Sequence, residues 1–139
     1  DLEEWDFVIL DEGHQIKNSA TEGAKSMQQI GGANRLVLTG TPILNHLIEL
    51  WAIFDYIQPE LLGTLASFKR GYDDPITKAS HKNANSDVKM MGEEVLRSLR
   101  AKIKPHFLRR TKQDIFSQRE SNWAHIFLLS YNIGASKLG

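Results

Sequence analysis

An apolar run that stops on two acids limits this chain more than any other feature. Phe7-Val8-Ile9-Leu10 leads directly into Asp11-Glu12. The run is β-branched and aromatic and shows no polar alternation. That pattern predicts a strand over residues 5–10, covered on both faces as in a parallel sheet. A second run, Arg35 to Thr39, ends on Gly40-Thr41-Pro42, which forces a turn. Between the two, residues 18–30 read as a helix, with Asn18 or Ser19 as its cap and Gly31-Gly32 as its stop. Strand, helix, strand, helix is the order of an α/β domain with parallel strands.

Residues 46–57 repeat apolar side chains at helical spacing: Leu47, Leu50, Trp51, Phe54 and Ile57 share one face, and Pro59 ends the segment. A short helix is expected over 64–72, and a polar loop broken by Pro75 over 73–86. Residues 87–103 read as a helix with Val88, Met91, Val95, Leu99 and Ile103 along a stripe, stopped by Pro105. His106 to Phe116 form a compact apolar and basic element, and residues 117–139 show no period that predicts an element. Trp51 and Phe54 read as core rather than as a stacking platform, because they keep the helical period.

The chain has 139 residues, enough for one domain with a core, and its net charge is zero. That balance excludes a wholly basic nucleic-acid binder and a disordered polyelectrolyte. It hides a local bias: residues 96–112 carry Arg97, Arg100, Lys102, Lys104, Arg109, Arg110 and Lys112 with no acid. Such a segment reads either as an anion-binding face or as a solvated helix flank. No cysteine is present, so disulfides and thiolate metal sites are excluded. No apolar run approaches the ~20 residues that span a bilayer, so no membrane association is expected. His81, His106 and His125 lack metal-ligand spacing. The chain begins at Asp1, without Met and directly before a strand, and reads as a piece of a longer protein.

In open α/β sheets, ligands bind beyond the carboxyl ends of the strands. Asp11 lies at one such end and Thr39-Gly40-Thr41 at another. Carboxylates and hydroxyls on one rim suit phosphate with Mg²⁺, which takes one or two carboxylates besides water and phosphate oxygens. A second carboxylate can orient an attacking water and take its proton. Taken alone, an Asp-Glu pair reads equally as a strand terminus followed by a helix N-cap.

The surrounding phrases carry a family resemblance. "VILDEGHQIKN", "RLVLTGTP", "ELWAIFDYI" and "FLRRTKQDI" occur in this order. "DEGH" (Asp11 to His14) and "LTGTPILNHLIELW" (Leu38 to Trp51) resemble motifs II and III of the Swi/Snf-type helicase-like ATPases. The string "LLGTLASFKRGYDDPIT" is most similar to the excision-repair-cross-complementing-like branch, which includes the Polo-interacting checkpoint helicase. The resemblance implies a partial RecA-like (P-loop NTPase) lobe with a parallel sheet and a helical insertion. Residues 1–58 would be the C-terminal half of the first lobe and 59–105 the insertion. Residues 106–116 would lead out of the lobe, and 117–139 form a divergent tail.

It further implies an ATP-dependent translocase on double-stranded DNA, bare or in nucleosomes, acting in the nucleus without strand separation. The cofactors would be ATP and Mg²⁺. Asp11 would hold Mg²⁺ through water, Glu12 would polarise the hydrolytic water, and His14 would link the ATP site to DNA-facing motifs. Thr39, Gly40 and Thr41 would couple nucleotide state to DNA contact. Arg109, Arg110 and Lys112 would brace the two lobes or approach DNA phosphate, with internal ion pairing of the two arginines left open. Gly13 stands where the DEAH spelling has alanine. Leu44 and His46 depart from the family's usual residues, so neither is assigned a role. An RNA helicase of the DEAH type is disfavoured, because its third motif is Ser-Ala-Thr.

A GxxxxGK[ST] phosphate loop is absent from these 139 residues. The nearest string, Glu22-Gly-Ala-Lys-Ser26, lacks the glycine before lysine and falls within a predicted helix. The missing loop and second lobe would belong to the parent chain. The polypeptide alone is therefore expected to hydrolyse little or no ATP. The alternative is a non-catalytic module that binds DNA or a protein through residues 97–112.

Overall fold

A computed structural model of the chain describes residues 5–40, 46–109 and, for the backbone, 127–132. Strand β1 (Trp5–Leu10) is followed by a 3₁₀ turn (Gly13–Ile16), helix α1 (Glu22–Gln29) and strand β2 (Gly32–Thr39). β1 and β2 pair in parallel, with Ile9 opposite Leu36 and Leu10 opposite Val37. This is the expected crossover unit. α1 is shorter than predicted because Asn18 is used in the turn before it: Asn18 Oδ1 accepts the Ala20 N–H at 3.1 Å. The cap is Thr21, whose hydroxyl oxygen accepts the Ala24 N–H at 3.3 Å. The Glu22–Ser26 string lies inside α1, where Lys25 pairs with Glu22 at 3.0 Å.

Helix α2 (Leu47–Ile57) is the centre of the core. Leu50, Phe54 and Ile57 are fully buried, as their period predicts, and so is Trp51 nearly. Ala52, Ile53 and Tyr56 are buried as well, so the helix is enclosed on more than one face. Val37 and Thr39 of β2 point into this core, together with Ile16. Trp51 Nε1–H donates to the Gly63 carbonyl at 2.9 Å, which ties α2 to the chain that follows it.

The next segment corrects the sequence reading. The expected loop over 73–86 is largely helical. Helix α3 (Leu65–Phe68) passes through a π-helical stretch (Lys69–Asp73) directly into α4 (Asp74–Ser80). Pro75 follows the π-helical stretch directly, and a widened turn of that kind is where a helix accommodates a proline that lacks its N–H. Helix α5 (Ser86–Ile103) starts at Asn85, whose Oδ1 accepts the Val88 N–H at 2.9 Å. α4 packs on α5 at Gly92: a Cβ there would overlap Ala79 and stand 3.2 Å from the Pro75 carbonyl oxygen. The predicted stripe of α5 is only half used. Leu99 and Ile103 are buried, Val95 is half-buried, and Met91 is exposed.

A 3₁₀ turn (Lys104–His106) leads into strand β3 (Phe107–Arg109). Strand β4 (Phe127–Asn132) lies within the stretch for which the sequence predicts no element. It pairs antiparallel with β2 and with β3, giving the sheet order β1-β2-β4-β3. The sheet is therefore a parallel pair extended by antiparallel strands.

β1 departs from expectation. Trp5, Phe7 and Ile9 are 56%, 65% and 59% exposed, while Val8 and Leu10 on the other face are half-buried. Strand side chains alternate between faces. Among the described residues, Leu10 on one face of β1 packs against the core, while the face with Trp5, Phe7 and Ile9 stays open. Among these residues no helix is long and apolar enough to cross a membrane.

Candidate functional site

Because Leu10 pairs with Val37, the carboxyl ends of β1 and β2 lie side by side. Asp11 and Glu12 leave one strand where Thr39 and Gly40 leave the other. The backbone turns sharply here: Glu12 is left-handed, with φ 55° and ψ 53°. For a residue with a side chain this conformation costs about 1–3 kcal/mol and is held by its surroundings. The Asp11 carboxylate supports the turn by accepting the Glu12 N–H at 2.8 Å.

Glu12 occupies the N-cap position of the 3₁₀ turn, yet its side chain makes no capping hydrogen bond. The reading of the acid pair as strand end plus helix cap therefore fails for Glu12. Its Oε2 lies instead 3.1 Å from His14 Nδ1. That approach is at ion-pair distance but is not aligned as a hydrogen bond, and Nδ1 is shielded from solvent. Asp11 and Glu12 are both exposed, so their carboxylates face an open rim.

Gly13 is what lets the two strand ends approach. It is buried against β2: a Cβ there would overlap Val37 Cγ1, meet the Leu38 carbonyl oxygen at 3.4 Å and the Thr39 Cβ at 3.7 Å. The glycine in place of alanine was the signal for this close packing. Thr39 is 3% exposed and has an interaction partner, and Gly40 is exposed on the rim. Thr41 lies outside the described residues, as do Arg110 and Lys112. Arg109 is exposed on β3, opposite Phe127, and it too has a partner.

Sequence reasoning missed Arg35. It is the one cation in an apolar strand, and that isolation was the available signal. Its guanidinium donates to the carbonyl of Tyr56 at 2.8 Å and to those of Gln28 and Ile30 at 3.2 Å each. It also lies 4.9 Å from the centre of the Tyr56 ring. One side chain thus joins β2 to the ends of α1 and α2. Burial pushes the Tyr56 hydroxyl up from its ordinary pKa, and the Arg35 charge partly offsets the rise.

A groove of about 970 Å³ lies between the loop at Lys17–Ser19, the start of α2, and helices α4 and α5. It holds neither Asp11 nor Glu12. Lys17 and Glu49 stand 3.6 Å apart on its wall.

Among the described residues no group of three or more His, Asp or Glu is placed to hold a metal ion; the rim offers the carboxylates of Asp11, one oxygen of which is engaged by the Glu12 N–H, and of Glu12. That suits Mg²⁺, which keeps several waters and shares phosphate oxygens instead of filling a protein cage.

A family profile described as SNF2-related domain matches residues 1–129. The human DNA excision repair protein ERCC-6-like is 51% identical over 119 residues, covering 85% of this chain and 10% of that protein. Protein CHROMATIN REMODELING 24 of Arabidopsis thaliana is 45% identical over 116 residues, 84% of this chain and 11% of that protein. A solved structure, the Sulfolobus solfataricus SWI2/SNF2 ATPase core in complex with dsDNA, superposes with a TM-score of 0.63 at 38% identity. It covers 81% of this chain and 21% of its own. The chain spans about a tenth of the length of the curated relatives it matches. The α/β fold is that of part of such an ATPase core, RecA-like, with a parallel strand pair.

Proposed function

This chain belongs to the SNF2-related domain family, and from that premise we propose that it is part of an ATP-dependent translocase on double-stranded DNA. It contributes the Mg·ATP hydrolysis pair and the turn that couples hydrolysis to DNA. The observation that carries this reading is the adjacency of two parallel strand ends, one bearing Asp11-Glu12 and the other Thr39-Gly40.

Asp11 would hold Mg²⁺, which would supply charge neutralisation at the phosphates. Glu12 orients a water for in-line attack on the γ-phosphorus and accepts its proton as the bond to the bridging oxygen breaks and ADP leaves. Neither role is compatible with a capped, buried carboxylate, and Glu12 is exposed and uncapped. His14 approaches Glu12 and would link the hydrolytic pair to the DNA-facing motifs. Thr39, Gly40 and Thr41 would relay the nucleotide state, since Gly13 seats the first motif on β2 at Val37, two residues before Thr39. Arg109, Arg110 and Lys112 would brace a second lobe or contact DNA phosphate. Residues 1–58 act as lobe, 59–105 as insertion and 106–116 as exit segment, and 117–139 as a tail whose strand β4 adds to the sheet of the lobe. The names of the relatives support a nuclear setting, with duplex DNA or nucleosomes as substrate.

The phosphates need a loop that these residues do not contain, so this polypeptide alone turns over little or no ATP. Calorimetry of Mg·ATP binding, with duplex DNA and with an Asp11→Ala control, tests the assignment. No binding to a folded chain fits it. DNA-stimulated turnover that vanishes in Glu12→Gln would sink the claim of inactivity.

A further inference from the structure

The C-terminal half of α5 carries Arg97, Arg100 and Lys102, with Lys104 directly after it, and no acid follows Glu94 before Arg109. At 3.6 residues per turn, Arg97, Arg100 and Lys104 fall within about 60° of one another. Lys102 lies across the helix from them. All four are exposed and make no ion pair among the described residues.

A cation in the last turn of a helix is explained by the helix dipole, whose influence fades within that turn. Arg100 and Lys104 fit that explanation, but Arg97 lies a further turn back. Dipole compensation also gives no reason for three cations to share one flank.

The flank is rigid. Leu99 and Ile103 anchor α5 in the core, and Gly92 locks it against α4 at Ala79. Arg100 stands on the rim of the groove opposite Lys17, Asn18 and Ser19. The acids in that groove are Glu49, which is paired with Lys17, and Asp73. Arg97 and Lys104 are not among its lining residues, so the stripe runs outward from the rim.

Seven residues of helix rise roughly 10 Å, and one DNA strand carries a phosphate about every 3.4 Å along the axis. Three fixed cations over that length match a short run of phosphates.

We propose that Arg97, Arg100 and Lys104 form a phosphate-tracking face for duplex DNA, separate from the rim at Asp11 and Glu12. The proposal rests on the reading of duplex DNA as the partner and adds where one stretch of it lies.

The test is binding of a labelled duplex to the full chain, read by fluorescence anisotropy over a salt titration. The triple variant Arg97→Gln, Arg100→Gln, Lys104→Gln should lower the slope of log K against log[salt] by roughly 2.7, about 0.9 for each phosphate no longer neutralised. Arg100→Gln alone should remove about one unit, which guards against a misfolded triple variant. Lys102→Gln should leave the slope within about half a unit of wild type. The titration is run without nucleotide, so failure of the ATP assignment leaves this result standing. An unchanged slope in the triple variant overturns the proposal. So does a drop in Lys102→Gln equal to that in the triple variant, or a wild-type chain that binds phosphatidylserine vesicles but no duplex.

Discussion

Gly13 and Val37 are packed so closely that the glycine has no room for a methyl group: its Cβ would overlap Val37 Cγ1. The residue after the acid pair is thereby seated on the strand that ends in the Thr39 turn. Val37 is fully buried and stiff at χ1, so it cannot swing aside. Gly13→Ala should destabilise the chain by about 1–3 kcal/mol in urea unfolding. In a double-mutant cycle with Val37→Ala, most of that cost should vanish. Additive losses would show that the two residues are not coupled.

Arg35 joins three backbone carbonyls from two helices to β2. Arg35→Ala should cost about 2–3 kcal/mol, since charged hydrogen bonds are lost and the Tyr56 carbonyl is part-buried. Arg35→Lys should recover less than half, because a single ammonium cannot reproduce the guanidinium fork. Equal stability of the lysine variant and the wild type, in the same urea titration, would refute the clamp.

Asp55 on α2 is half-buried, and burial raises its carboxyl above the ordinary value of 3.8. The folded state then holds its proton at pH values where the unfolded chain has lost it. Stability is lost as pH rises from 3.8 through the raised value, and the full penalty remains above that window. Asp55→Asn should therefore melt higher than wild type at pH 7, and the gap should close as pH falls toward 4. A gap that stays constant with pH would show that charge burial is not its cause.

Trp5, Phe7 and Ile9 form an exposed apolar row on β1. Phe7→Lys should reduce light scattering on concentration while changing the unfolding free energy by no more than about 0.5 kcal/mol. A large loss of stability would mean that this face is packed in solution.

Tyr56 carries a shielded hydroxyl that lacks a hydrogen-bond partner among the described residues. Tyr56→Phe should be neutral or slightly stabilising by thermal melting, because it removes an unsatisfied polar atom without emptying the site. A loss above about 1 kcal/mol would point to a partner for that oxygen.

The sequence by itself determined the local elements that its own periodicity describes. α2 falls over 47–57 because five apolar residues repeat at helical spacing, and β1 and β2 fall where β-branched runs meet acids or a Gly-Thr-Pro turn. The motif phrases also lay in the chain as read, and the family they resemble is the one it belongs to. Tertiary structure decided what those patterns meet. An apolar run cannot report whether a second layer covers it, so β1 reads as buried on both faces while one face is open. Pro75 reads as a breaker in sequence but lies inside a helical run that takes it up at a π-helical stretch and packs on α5 at Gly92. The seating of Gly13 on Val37 and the reach of Arg35 to Tyr56 join residues that lie far apart in the chain. Pairings at that separation depend on how strands and helices stack in space, which no local pattern records.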